Sequence, residues 1–259
     1  MKKMRTPAAL VVALAAAAVI AAPAQADEED AKALLKAMSD YLGSQDSISF
    51  AYDTDLEVVT SDLQKIAFAS SGRMTLERPG KLHASRTGGF ADVEIFYDGS
   101  TLTVLGKTLN VYTQATEVPD TIDELVDWLR ANHNVQAPGA DLLFANVYDQ
   151  LMPHVTDVKD LGQGVIRGVA CDHLAFRTED VDWQIWIAAE GDPYPCRYVV
   201  TSRLMAQAPE YRIEISDWTA GQPADASLYS FDNATGAEEV QIEDLAGLGE
   251  LPNLAAAGE

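Results

Sequence analysis

Cys171, Asp172 and His173 stand in a row. A thiol, a carboxylate and an imidazole side by side could hold a metal ion or activate a nucleophile. The plainer reading is a strand histidine hydrogen-bonded to a neighbour. His83, His133 and His154 are scattered, and no two histidines have metal-ligand spacing such as i,i+4 on a helix. Gly99 and Gly106-Lys107-Thr108 have the outline of a phosphate-binding loop. Six residues separate the glycines where that loop has four, and the segment reads as a hairpin, not as a loop opening a helix. There is no Gly-x-Ser-x-Gly elbow and no His-Glu-x-x-His. Acid pairs are everywhere, so pairing alone nominates no general acid and base. The sequence therefore offers no catalytic residue, metal site or cofactor, and a hydrolase is the least supported class.

Composition narrows the partners. The chain has 259 residues, 47% of them apolar, and a formal charge of −22. Such an acidic chain is a poor partner for nucleic acid or an anionic membrane surface. It opens with Lys2, Lys3 and Arg5, followed by an apolar and small stretch from Ala8 to Ala22, Pro23, and Ala24-Gln25-Ala26. That is the plan of a secretory signal cleaved after Ala26. The stretch is too short and alanine-rich to make a good membrane span, and no later segment is apolar enough. Removing 1–26 leaves 15 Lys and Arg against 40 Asp and Glu, a charge of −25. The address implied is a bacterial periplasm, and in an oxidising compartment Cys171 and Cys196 would pair as a disulfide. One geometric objection stands: both fall on strands with another strand between them. Strands two apart lie roughly 9–10 Å from each other, beyond disulfide reach unless the sheet twists or one cysteine lies in a loop.

The elements that must position these groups follow from periodicity. Ala31, Leu34, Leu35, Met38 and Leu42 recur at helical spacing and predict a helix over Asp27–Leu42, stopped by Gly43. The period then drops to two. Phe50, Tyr52, Leu56 and Val58 alternate with Ala51, Asp53, Asp55 and Glu57, and Phe68, Met74 and Leu76 fall in a second strand. Further strands are predicted at Lys81–Arg86, Asp92–Tyr97, Thr101–Leu105 and Leu109–Gln114, with Asp98-Gly99 as a hairpin turn. One helix runs from Ile122 through Leu129 and another from Pro138-Gly139 through Leu151. Strands resume at Val155–Leu161, Val165–Arg177, Val181–Ala188, Arg197–Arg203 and Tyr211–Trp218, with a short one at Leu228–Phe231. The tail 241–259 is acidic and reads as disordered. Residues 27–240 thus read as one mostly antiparallel α+β domain of about 11 strands, its apolar face covered by helices. A sheet this large tends to curl and enclose an apolar space.

Gly168-Val169-Ala170-Cys171-Asp172-His173-Leu174-Ala175-Phe176 and Val181-Asp182-Trp183-Gln184-Ile185-Trp186-Ile187, with the Tyr97-Asp98-Gly99 turn, Asp141-Leu142-Leu143, and Gly236-Ala237 after Phe231, resemble an uncharacterised family of predicted bacterial periplasmic proteins. That family is similar to the superfamily of the lipoprotein carrier LolA, its acceptor LolB and the regulator RseB. The resemblance covers roughly Ala31 to Val240. It implies a strongly curved open half-barrel plugged by helices, which in the carrier holds acyl chains.

Two functions are therefore in play. The first is a non-enzymatic binding protein holding a hydrophobic small molecule or lipid in the hollow of the sheet. Its lining would be Phe50, Tyr52, Leu56, Phe68, Met74, Leu76, Ile95, Tyr97, Trp183 and Ile185. Trp183 shares a face with Val181, Ile185 and Ile187; Trp186 lies on the opposite face, covered by a helix or exposed as a contact. Ordinary core is the plain alternative for all these aromatics. The second function is a packed structural or regulatory module that binds a protein partner, such as a lipoprotein or membrane-associated protein, through its surface.

Overall fold

The structure, a computed structural model, describes residues 28–88, 92–133, 135 and 138–241. The signal segment, the cleavage site and the tail beyond 241 lie outside the described residues.

Acidic Glu28, Glu29 and Asp30 open α1 (Glu28–Ser44), where they meet the positive end of the helix dipole. Its stripe of Ala31, Leu35, Met38 and Leu42 is at most 1% exposed. An antiparallel meander follows: β1 (Ser47–Val59), β2 (Lys65–Glu77), β3 (Lys81–Gly88), β4 (Asp92–Tyr97), β5 (Leu102–Gly106) and β6 (Val111–Ala115). Then come α2 (Ile122–His133), a 3-10 turn over Ala140–Leu143, and α3 (Val147–Leu151). A second meander runs through β7 (Asp157–Ile166), β8 (Val169–Arg177), β9 (Val181–Ala188), β10 (Pro195–Ser202) and β11 (Glu210–Ala220). A 3-10 turn at Ala226–Tyr229 and the two-residue β12 (Glu238–Glu239) are the last elements among the described residues.

All twelve strands form one open sheet in the order β12-β6-β5-β4-β3-β2-β1-β11-β10-β9-β8-β7. The seam is the antiparallel pairing of β1 with β11; among the described residues β12 alone pairs in parallel, with β6. The expected α+β class and mostly antiparallel sheet are therefore borne out.

Four local expectations need correction. The helix expected from Pro138 to Leu151 breaks at Phe144, whose backbone is extended (ψ 150°). Arg78 explains the break: its guanidinium donates to the carbonyls of both Leu143 and Phe144, at 3.1 and 3.2 Å. The Ala145 N–H donates to the Asp123 carboxylate at 3.0 Å, and Asn146 caps α3. Tertiary partners thus take backbone groups that a continuous helix would use. Second, the strand expected over Val165–Arg177 is cut by a hairpin turn. Arg167 and Gly168 both have positive φ (52° and 88°), the pattern of a tight two-residue connection. Third, Leu228–Phe231 is not a strand. Asp225 caps a 3-10 turn there, and Phe231 packs on Phe96 and Tyr112 (centroids 5.6 and 4.9 Å). Finally, the bend that the contacts define is at one hairpin instead of along the whole meander. Arg167, at the β7–β8 tip, reaches the Asp53 carboxylate of β1 at 2.8 Å. Four strand spacings of about 4.8 Å would hold those strands roughly 19 Å apart in a flat sheet. The hairpin therefore folds over the face that carries Asp53, helped by an irregularity in its pairing between Asp160 and Gln163.

The main core lies between the other face and the helices, where α1 packs against β7, β9 and α3. Leu174 and Ile185 are wholly buried there. Leu174→Ala is expected to cost about 2–5 kcal/mol of unfolding free energy. Val165→Thr, at a position 70% exposed, should stay within about 0.5 kcal/mol. Urea unfolding of the two variants checks both.

Candidate ligand-binding site

Strand register assembles what the linear sequence scatters. Phe68, Leu56, Tyr211, Val200, Trp183, Phe176 and Val158 are successive partners from β2 through β1, β11, β10, β9 and β8 to β7. They make one apolar row on the helix-covered face. Phe176 and Trp183 stack at 3.9 Å and are buried; the other five are only half-buried.

Over the middle of this row lies a cavity of about 520 Å³, within the size range of small-molecule sites. Trp183, Tyr198, Val200 and Val181 form its apolar side, and Arg130, Asp141 and Gln150 contribute polar groups. Arg130 of α2 and Asp141 of the first 3-10 turn form a 2.8 Å ion pair, and the guanidinium lies over the Phe144 ring. Gly139, at φ 85°, lets the chain pass close to Tyr211; a Cβ there would meet its ring at 3.3 Å. Burial, then the nearby Asp141 carboxylate, raises the pKa of the Tyr198 phenol, so the ring faces the cavity uncharged. A second cavity, of about 450 Å³, lies beside β6 and is lined by Thr113, Gln114, Trp128 and His133 among others.

The ten residues expected to line a hollow divide by location. Phe50, Leu76, Tyr97, Trp183 and Ile185 are at most 5% exposed. Of these, Trp183 lines the 520 Å³ cavity. Phe50 stacks on Trp218 at 5.6 Å, and the Tyr97 hydroxyl donates to the Pro119 carbonyl at 2.5 Å. Tyr52, Leu56, Phe68, Met74 and Ile95 are half-buried on the same face. Tyr52 lies across Gly72, where a Cβ would sit 2.5 Å from the ring, and its hydroxyl donates to the Ser85 carbonyl at 2.9 Å. Leu56 and Phe68 are direct partners in the apolar row. Sequence reading missed Tyr198, Val200, Tyr211, Arg130 and Asp141. Alternation marks a strand's inward positions, but only register shows which of them meet.

The opposite face carries Cys171 and His173, whereas Asp172 between them pairs with Ile187 and falls on the helix-covered face. His173 stacks on Trp186 at 3.9 Å and donates from Nε2 to Gln184 Oε1 at 2.9 Å. Arg197 lies over the other ring of the stack, Trp186, at 5.3 Å. Trp186 is thus neither covered by a helix nor free. His83 Nε2 meets the Glu94 carboxylate at 2.7 Å. Among the described residues no three His, Cys, Asp or Glu side chains are grouped to hold a metal ion. Cys171 and Cys196 are both free thiols, each at most 2% exposed, with sulfurs 2.7 Å apart.

The family described as "Predicted periplasmic protein (DUF2092)" matches residues 31–243. No protein of curated function matches. Solved structures similar to this one include the Mycobacterium tuberculosis lipoprotein LppX, at 11% identity and TM-score 0.41, covering 77% of this chain and 100% of that one. LprF from Mycobacterium bovis is 12% identical at TM-score 0.47, covering 76% and 96%. The Pseudomonas aeruginosa MucA/MucB complex gives 15% identity and TM-score 0.43, covering 79% of this chain and 62% of that one. Among the described residues no helix is long and apolar enough to cross a membrane.

Burial lowers the His173 pKa below its ordinary 6.5; the Gln184 hydrogen bond opposes this and the Arg197 charge adds to it. The unfolded chain then binds the proton more readily than the folded one. The contribution to stability is whole above pH 6.5 and is lost as pH falls through the lower folded value. Urea midpoints at pH 7.5 and 5.5 should differ more for the wild-type chain than for His173→Gln. The His173 ring should titrate below 6.5 by NMR.

Proposed function

The chain belongs to the DUF2092 family of predicted periplasmic proteins, and we propose that it is a non-enzymatic periplasmic binding protein for an elongated apolar ligand, an acyl chain or lipid. In this reading the leader 1–26 is removed on export and residues 27–240 act as one unit. The observation that carries it is the seven-strand apolar row, five of its residues left half-buried, beside the 520 Å³ cavity. The chain of the ligand lies along Val200, Trp183 and Tyr211. Its polar end lies towards Arg130 and Asp141. These residues act through contact area, so no nucleophile or cofactor is required. About 0.8 kcal/mol per buried methylene gives useful affinity once ten are covered, before ordering costs.

The test starts with protein recovered from the periplasm of its own source. Organic extraction and mass spectrometry should release lipid-like molecules. Stripped protein should bind a fluorescent fatty acid and quench with Trp183 as donor. Val200→Trp fills the cavity floor and excludes two or three methylenes, weakening the probe by roughly 15- to 60-fold. Protein that carries no lipid, ignores the fatty acid, and is instead recovered with a stoichiometric protein partner would replace this reading with that of an interaction module.

A further inference from the structure

We propose that Cys171 and Cys196 are joined in the exported protein as a buried disulfide that staples β8 to β10 across the end of β9. Strand spacing argues against such a bond in a regular sheet, because residues two strands apart sit about 9.6 Å from each other and a disulfide needs its Cα atoms within about 6.8 Å. Two local features remove the objection. Cys171 pairs with Ala188, the last residue of β9, whose small side chain leaves room for the two sulfurs to meet above it. Cys196 lies at a register shift between Pro195 and Arg197, which pair with Ile187 and Trp186 respectively. Cys196 is the extra residue of a bulge, and a bulge re-aims its side chain. The two sulfurs meet over Ala188 at 2.7 Å.

The surroundings indicate when the bond forms. Ile166, Ala188, Val169, Trp186 and Tyr194 pack around the pair, under the bent β7–β8 hairpin. Burial raises the pKa of both thiols, most strongly that of Cys196, so the folded chain holds few of the thiolates that attack a disulfide. Pairing therefore precedes closure of this small core, while the chain is folding after export. Each thiol gives up a proton and an electron and the sulfur–sulfur bond forms. The two protons and two electrons go to an external disulfide, oxidised glutathione or the disulfide of an oxidant protein, which becomes two thiols. The same strands present Trp183, Tyr198 and Val200 to the cavity on their opposite face, so the staple braces that wall from behind.

The whole protein, secreted into an oxidising compartment and denatured in the presence of iodoacetamide, should take up no label and weigh two hydrogens less than the dithiol. Its thermal midpoint should fall after reduction, whereas that of C171A/C196A should not respond to reductant. Refolding the reduced chain with oxidised glutathione should restore the bond at least 100-fold faster than adding oxidised glutathione to folded, reduced protein. Two labelled cysteines in the secreted protein, or a refolded chain that stays reduced, would overturn the proposal. These outcomes are independent of lipid binding, so they stand or fall apart from the function proposed above.

Discussion

The apolar face of a sheet twelve strands wide is larger than the helices available to cover it. Eleven strand spacings of about 4.8 Å give a width of roughly 53 Å. Against it stand α1 with 17 residues, α2 with 12 and α3 with 5, about 26, 18 and 8 Å long. The covered part packs as a dense core around Leu35, Met38, Tyr97, Ile122, Leu174 and Ile185. What the helices do not reach stays half-buried: Phe68, Leu56, Tyr211 and Val200. The apolar row and its cavity follow from this mismatch of areas.

The chain handles its second face differently, by bending and strapping. The β7–β8 hairpin folds over one half and encloses the two thiols. The segment around Ala226–Tyr229 packs against β3 and β4 on the other half, with Tyr229 2% exposed. Leu102, in the main core, and Leu105, on the other side of β5, are both buried. The few cations are placed where backbone has to be held. Arg78, its side chain 12% exposed, fixes the broken helix, whereas exposed pairs such as Arg73–Asp217 add little to stability.

Much of this was legible in periodicity and turn chemistry. The stripe of α1, the alternation of β1 and β2 and the Asp98-Gly99 turn are local signals, and the elements appear where those signals fall. What failed was non-local. Leu142, Leu143, Val147 and Leu151 have helical spacing, but Arg78, more than sixty residues earlier, takes the carbonyls between them. Arg167-Gly168 was passed over as a turn because the apolar alternation continues on both sides of it. The aromatic content of the site was visible, yet Tyr52 and Phe50 looked the same as Trp183 until register showed Tyr52 laid over Gly72 and Phe50 stacked on Trp218.

The chemistry of the cavity wall bears on what can occupy it. A buried water is held by two to four hydrogen bonds, and most side-chain partners for these lie on the side of Arg130, Asp141 and Gln150, with the Thr178 hydroxyl beside Val181 as the exception. The Trp183 and Val200 side chains offer water no such partners, and Tyr198 adds an uncharged ring. An amphiphile would satisfy both sides at once: its chain would replace poorly bound water and its polar end would meet the ion pair. A wholly polar solute would lose hydrogen bonds along the apolar wall. A wholly apolar one would leave the Arg130–Asp141 side no better paired than before. This asymmetry between wall and rim, more than the volume itself, favours a chain with a head.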